Sequence, residues 1–282
     1  MNKSLLYLVC LFIFTLCANA NTHNKILWNT VSYAPSLISE GPYKNQGFSD
    51  MSRELFIFNL EEYEHEILAG SIQKAMQDLE SNENYCFTGL TRDKFKEEFI
   101  QYSKPFLEIL PNELVIRNED KKRFKSYIGL KTGVNLHRLL QNNGFVFGYV
   151  KHREYTSYIN RLILLNEDKK HLFSKKISSQ SVGLLELLAQ EKFDYMIEYP
   201  TVLSYVTKKK NINVEFSSYP IMSSNDLVKL YVGCSKNEFG KNVIKKIDKL
   251  IDTNHEMFEA FYKSWLDYNS KKKYEEYIMN NK

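Results

Sequence analysis

Short apolar runs bounded by turn residues alternate along this chain with longer stretches in which apolar positions recur every three to four residues. The first kind of segment predicts strands and the second helices. Their alternation predicts βα units around mainly parallel sheets, an α/β protein with helices flanking two sheets. Strands are expected at Lys25–Thr30, Glu66–Ala69, Tyr85–Phe87, Glu113–Ile116, Phe145–Val150, Tyr195–Ile197, Val214–Phe216 and Leu230–Gly233. Among the helices, Ser71–Leu79 opens on a serine suited to cap its first turn. Leu184, Leu185, Leu187 and Leu188 give Gln180–Gln190 one apolar face, and Val243, Ile244, Ile247, Leu250 and Ile251 do so for Lys241–Trp265. Polar, charged or proline-containing stretches follow strands at Asn118–Lys122 and Ser217–Asn225, marking two passages between lobes. The expected division is 21–117 with 221–282 as a discontinuous first lobe, and 118–220 as an inserted second lobe.

The region ahead of the first strand has a different pattern. Lys3 precedes an apolar run, Leu5–Leu16, and Ala18-Asn19-Ala20 offers small residues to a signal peptidase. That run is well short of the roughly 20 residues that span a bilayer. Residues 1–20 therefore read as a leader cleaved near Ala20, and the mature protein as periplasmic or secreted. Of the four cysteines, Cys10 and Cys17 leave with the leader, so Cys86 and Cys234 remain in a compartment that permits disulfides. The residues alone leave two alternatives, one bridge or two buried thiols. The net charge of +4 is spread along the chain, including Lys208-Lys209-Lys210 and Lys271-Lys272-Lys273 as solvated helix ends, so neither nucleic acid nor anionic lipid is implied as a partner.

Candidate chemistry is sparse. The six histidines are scattered, with no His-Glu-x-x-His pair and no Cys-x-x-Cys, so no metal is expected. A Gly-x-Ser-x-Gly elbow and a glycine-rich phosphate loop are also missing, and no cofactor is expected. Ser71-Ile72-Gln73-Lys74, Lys131-Thr132-Gly133 and Tyr158-Ile159-Asn160 match elements of penicillin-recognising enzymes, but their order along the chain is wrong for that family. The aromatic residues say more. Trp28, Tyr33, Tyr85, Phe87, Tyr149, Tyr155, Tyr195 and Tyr199 all fall at or just beyond expected strand ends, where ligands bind in open α/β sheets.

Several segments together resemble a known family. Ile26-Leu27-Trp28, Tyr33-Ala34-Pro35, Gly41 and Gly47-Phe48-Ser49-Asp50 are similar to the opening strand, cleft-lining proline and first helix of the type 2 periplasmic solute-binding proteins, in the branch of the amino-acid receptors of ABC transporters. Thr91 through Phe106 is similar to that family's Thr-x-x-Arg helix and following Phe-Ser-x-Pro-Tyr, here Tyr102-Ser103-Lys104-Pro105-Phe106. Gly148, Arg153, Tyr155 and then Asp194, Tyr195, Glu198, Tyr199 and Pro200 resemble a subgroup of exported proteins of the same fold. The resemblance implies a non-catalytic monomer with two lobes, a double-crossing hinge and a cleft that closes on a small polar solute, anionic or amino-acid-like. An ABC permease or a membrane sensor is the implied partner. Trp28, Tyr33, Tyr102 and Tyr155 would wall the cleft, and Arg92, Lys96 and Arg153 would draw an anionic group. Lys96 stands where amino-acid receptors carry an arginine, losing the planar fork. The amine-binding aspartate falls near Glu198 or Tyr199, so Glu198 would meet a cation. The family fold also sets the strands of Cys86 and Cys234 side by side, implying a disulfide.

Overall fold

A computed structural model describes residues 24–281 apart from 82, 130–132, 151–152, 154, 167–171, 176–181, 210–211 and 225. The expected leader, residues 1–20, and Lys131-Thr132 lie outside the described residues. Among those described, no helix is long and apolar enough to cross a membrane.

Two five-stranded sheets carry the architecture. The first is built from β1 (Lys25–Thr30), β2 (Glu64–Ala69), β3 (Tyr85–Leu90), β4 (Ile100–Ile109) and, much later in the chain, β12 (Val228–Ser235), in the order β2-β1-β3-β12-β4. β1 runs parallel to β2 and β3, while β12 is antiparallel to both of its neighbours. Helix α1 (Phe48–Asn59) and the long α8 (Glu238–Lys263) cover one face, where Phe56 and Phe106 pack against Phe258. Val243, Ile244, Ile247 and Ile251 of α8 are buried there, as their spacing predicts, whereas Leu250 is only half-buried. Helix α2 (Ile72–Glu80) lies on the opposite face, and the Ser71 hydroxyl caps it by accepting the Lys74 amide at 3.1 Å.

The second sheet takes β5 (Glu113–Arg117), β8 (Phe147–Val150), β9 (Leu172–Lys175), β10 (Tyr195–Glu198) and β11 (Phe216–Pro220) in the order β11-β5-β10-β8-β9. β8 is parallel to β9 and β10, whereas β5 is antiparallel to β10 and β11. The short α3 (Lys121–Phe124), the two-residue pair β6 (Ile128–Gly129) and β7 (Gly133–Val134), α4 (Leu136–Leu140), α5 (Ser157–Leu164), α6 (Val182–Ala189) and α7 (Pro200–Lys209) surround this sheet. α9 (Tyr268–Asn281) closes the chain. One interior is aromatic, with the Phe147 ring stacked between Tyr149 and Tyr195 at centroid distances of 5.6 and 5.1 Å. On the other side of β8, Gly148 makes room for Phe193, because a β-carbon there would stand 2.5 Å from its ring.

The chain passes between the sheets twice, at 110–112 from β4 to β5 and at 221–227 from β11 to β12. The first passage lies earlier than the expected 118–122. That charged stretch is no linker: Arg117 is buried, donates to the carbonyls of Leu188 and Phe193 at 2.8 and 2.9 Å, and pairs with Asp120 at 2.5 Å. Glu119, Lys121 and Lys122 stay exposed, but Arg117 and Asp120 are buried in the second lobe and β5 pairs with β10 and β11, so β5 belongs to that lobe and the boundary at 117/118 moves upstream. Cys234 on β12 sits opposite Cys86 on β3, and the two form a disulfide, in keeping with the family resemblance.

One apolar cluster runs through both lobes. Tyr205 of α7, from the second lobe, packs edge-on to Tyr43 and against Trp265, both from the first, at 6.4 and 5.6 Å. Lys208 donates to the Ser264 carbonyl at 2.9 Å with its ammonium 5.1 Å from the Trp265 ring. Behind the first passage, the Tyr262 hydroxyl accepts the Leu110 amide at 3.0 Å, the Tyr274 hydroxyl donates to the Glu108 carbonyl at 2.8 Å, and Lys273 pairs with buried Glu113. Lys208 stays exposed while making this contact, as a solvated helix end would, whereas Lys273 is half-buried against Glu113.

Candidate functional site

Parallel strands expose all their carboxyl ends on one edge, and the loops leaving that edge form a crevice. In the first lobe β1 and β3 end at Thr30 and Leu90; in the second, β8 and β10 end at Val150 and Glu198. The loops that follow bring together Tyr33, Arg153, Tyr155, Glu198 and Tyr199. The centre is an ion pair. Arg153 donates through Nη1 and Nη2 to both carboxylate oxygens of Glu198, the second bond being 2.5 Å long, and the two side chains are 2% and 0% exposed. This is the bidentate fork that makes arginine–carboxylate contacts directional. The Tyr199 amide adds a third donor to the carboxylate at 2.9 Å.

Three phenols surround the fork. The Tyr155 ring lies 4.9 Å from the guanidinium carbon, within cation–π range. Tyr33, which comes from the first lobe, lies near enough to Arg153 and Glu198 for its phenol to feel both charges. Tyr199 rests against Asn112 of the first passage. Burial pushes the Tyr155 phenol up to about 12, with Arg153 partly opposing it. Burial likewise raises Tyr33, again against the pull of Arg153. Burial alone would disfavour the Arg153 cation, but Glu198, Tyr33 and Tyr155 outweigh it and hold the group protonated. Thr156 caps α5 beside them and exchanges a 3.1 Å hydrogen bond with Ser224 in the second passage.

No known protein family's sequence pattern matches the chain, and no curated protein sequence does. Solved structures do match. The periplasmic VFT2 domain of Bordetella pertussis BvgS superposes with a TM-score of 0.60 at 13% identity, covering 86% of this chain and 94% of that one. An amino acid ABC transporter substrate-binding protein from Streptococcus pneumoniae bound to L-arginine gives 0.58 at 17% identity, over 86% and 93% of the two chains. An ancestral amino acid-binding protein, described as a precursor of cyclohexadienyl dehydratase, gives 0.63 at 12% identity over 86% and 96%. The fold is the type 2 periplasmic-binding-protein fold. At these identities the likeness establishes architecture, and the side chains decide the rest.

Within the type 2 fold, the expected site residues divide into three groups. Tyr33, Arg153, Tyr155, Glu198 and Tyr199 meet. Arg153 and Glu198, expected to take an anion and a cation respectively, instead hold each other. Trp28 is a correction: it is 0% exposed in the core of the first lobe, donates from Nε1 to His65 at 3.1 Å, and presents no surface to a cleft. The alternation of β1 explains this, since Trp28 shares a face with Ile26 and both enter the same cluster. The third group lies beyond β3. Arg92 donates to Glu97 at 2.6 Å and stands 5.9 Å from the Tyr102 ring, and Lys96 lies 3.5 Å from Asp93. Tyr102 is buried, its phenol pushed up to about 12 by that burial. The segment compared with a helix contains a single 3-10 turn, Lys96–Glu98. Phe87, Tyr149 and Tyr195 fill cores rather than the crevice. Sequence reasoning missed Asn112, Tyr43 and Tyr205: nothing in their local patterns separates them from ordinary loop or helix residues.

Proposed function

We propose that the protein is an exported, non-catalytic module that binds a small polar solute between its lobes and presents the complex to an ABC-type transporter. The supporting observation is the convergence of Tyr33 from the first lobe with Arg153, Tyr155, Glu198 and Tyr199 from the second, at the carboxyl ends of parallel strands. The leader-like pattern of residues 1–20 supports a periplasmic or secreted setting for this activity. Ser71 supports the non-catalytic reading, because its hydroxyl is engaged as a helix cap.

Thermal unfolding against amino acids, organic acids, polyamines and short peptides tests the proposal. A ligand held only by the folded state at 100 times its Kd adds about 2.7 kcal/mol. The midpoint should rise with one chemical class, and the rise should vanish in Tyr199→Ala. A folded protein that responds to none of the four classes would sink the transport reading. Labelling of Ser71 by a β-lactam would do the same for the non-catalytic one.

A second reading, a sensory or interaction module, is favoured by one observation: the pair best placed to grip a charged ligand is already satisfied internally. Pull-down from the native envelope separates the two. A permease supports transport and a signalling protein supports sensing.

A further inference from the structure

The segment that follows α8 touches both lobes, although chain order assigns it to the first. Asp267 accepts the Ser270 amide at 2.9 Å at the start of α9, and Ser270, Lys273, Tyr274 and Tyr277, spaced as one helix face, turn toward the protein. Two neighbours on that face reach the two sides of the first passage. Tyr274, 1% exposed, donates to the Glu108 carbonyl at 2.8 Å, near the end of β4 in the first lobe. Lys273 pairs with Glu113, the first residue of β5 in the second lobe, which is 2% exposed. Between these points the Tyr262 hydroxyl accepts the Leu110 amide at 3.0 Å, and the Tyr262 ring lies 5.0 Å from that of Tyr274. The turn ahead of α9 is shared in the same way. Trp265 donates to the Gln46 carbonyl of the first lobe at 3.1 Å, while from the second lobe Tyr205 packs on its ring and Lys208 donates to the Ser264 carbonyl.

We propose that α9 is a third, non-covalent hinge element: a strap anchored beside β4 by Tyr274 and clasped to β5 by Lys273, which limits how far the lobes rotate about residues 110–112. A hinge works by concentrating backbone change in a few residues, and here those residues are flanked by contacts to a single helix. Rotation that separates Glu108 from Glu113 must either carry α9 with it or part Lys273 from Glu113. The second course leaves a buried carboxylate without its cation, which is costly. The clasp lies at the passage itself, so the strap goes beyond the binding-module reading and is independent of what the crevice takes.

Spin labels at Lys94→Cys and Arg161→Cys, exposed positions on opposite lobes, report the interlobe distance by double electron–electron resonance in the full exported chain with no added solute. Lys273→Met should broaden the distance distribution relative to the parent. Lys273→Arg, which keeps a cation on the same helix face, should restore it. Lys271→Met removes an exposed charge from the same helix and should leave the parental distribution unchanged. Near-ultraviolet circular dichroism confirms that each variant is folded. Should Lys273→Met fail to fold because Glu113 is stranded, Lys273→Met with Glu113→Gln, which strands no charge, decides the matter by the same broadening. A distribution as narrow as the parent's in the folded Lys273→Met protein, or in the double variant, overturns the strap. Equal broadening in Lys271→Met does so too, because it would trace the effect to net charge rather than to the clasp.

Discussion

Removing one partner of the Arg153–Glu198 pair should cost far more than removing both. With the side chains 2% and 0% exposed, neither charge can rehydrate where it stands. Arg153→Met leaves a buried carboxylate with the Tyr199 amide as its remaining hydrogen bond among those described. Glu198→Met leaves a buried guanidinium facing Tyr33 and Tyr155. Each single substitution is expected to cost about 3–5 kcal/mol, the range for breaking a buried pair. The double substitution strands no charge. Its main loss is the acceptor of the Tyr199 amide, about 1–3 kcal/mol. The singles would therefore sum to about 6–10 kcal/mol against a double of at most about 3, a coupling of about 3 kcal/mol or more. Urea unfolding followed by circular dichroism measures this as shifts of the midpoint at constant slope. If the double variant equals the sum of the singles, or if each single costs under about 1 kcal/mol as an exposed pair would, the account of a dry, mutually dependent fork is wrong.

Replacing both Cys86 and Cys234 by alanine releases a cross-link spanning 148 residues, and chain entropy sets the loss at up to about 5 kcal/mol in chemical denaturation; an unchanged midpoint would mean the bond is not formed in the folded protein. Gly148→Ala puts a β-carbon 2.5 Å from the buried Phe193 ring and should cost about 1–3 kcal/mol, read as a lowered melting temperature. Tyr102 and Tyr155 have phenols raised by burial to about 12, against about 10 in an unfolded chain, so the stability they contribute is complete below pH 10 and is lost as pH rises toward 12. Tyrosinate absorbance should accordingly lag behind that of a tyrosine peptide until alkaline unfolding releases it, and coincident titration curves would contradict the burial.

Period and turn residues made most of the scaffold legible. All eight expected strands exist, with ends displaced by a few residues, because short apolar runs between turn residues have few other ways to be buried. β4 was not legible as a strand. Its ten residues include Pro105, which argues against a central strand, yet β4 is the edge of its sheet, where an imide nitrogen disturbs no ladder. The first passage was expected too late in the chain, at 118–122, for a different reason. Charged residues at a strand end look like a linker unless their partners are known, and those partners, Leu188, Phe193 and Asp194, lie some 70 residues on. In the site, the resemblance named Tyr33, Arg153, Tyr155, Glu198 and Tyr199 as ligand-binding residues, and the structure brings these five together. That Arg153 and Glu198 answer each other, 45 residues apart, is a fact of loop geometry that one-dimensional spacing does not encode.

The disulfide gives the second lobe a topology of its own. The bond joins neighbouring strands of the first lobe, while everything in between, including the whole of the second sheet, belongs to the 148-residue span it closes. The inserted lobe is therefore a covalent ring threaded through two adjacent exits. A protease that nicks any of its outer loops opens the ring without releasing a piece: the cut chain keeps its full mass and both halves stay anchored to one sheet until a reductant reaches two sulfurs buried in the core of the other lobe.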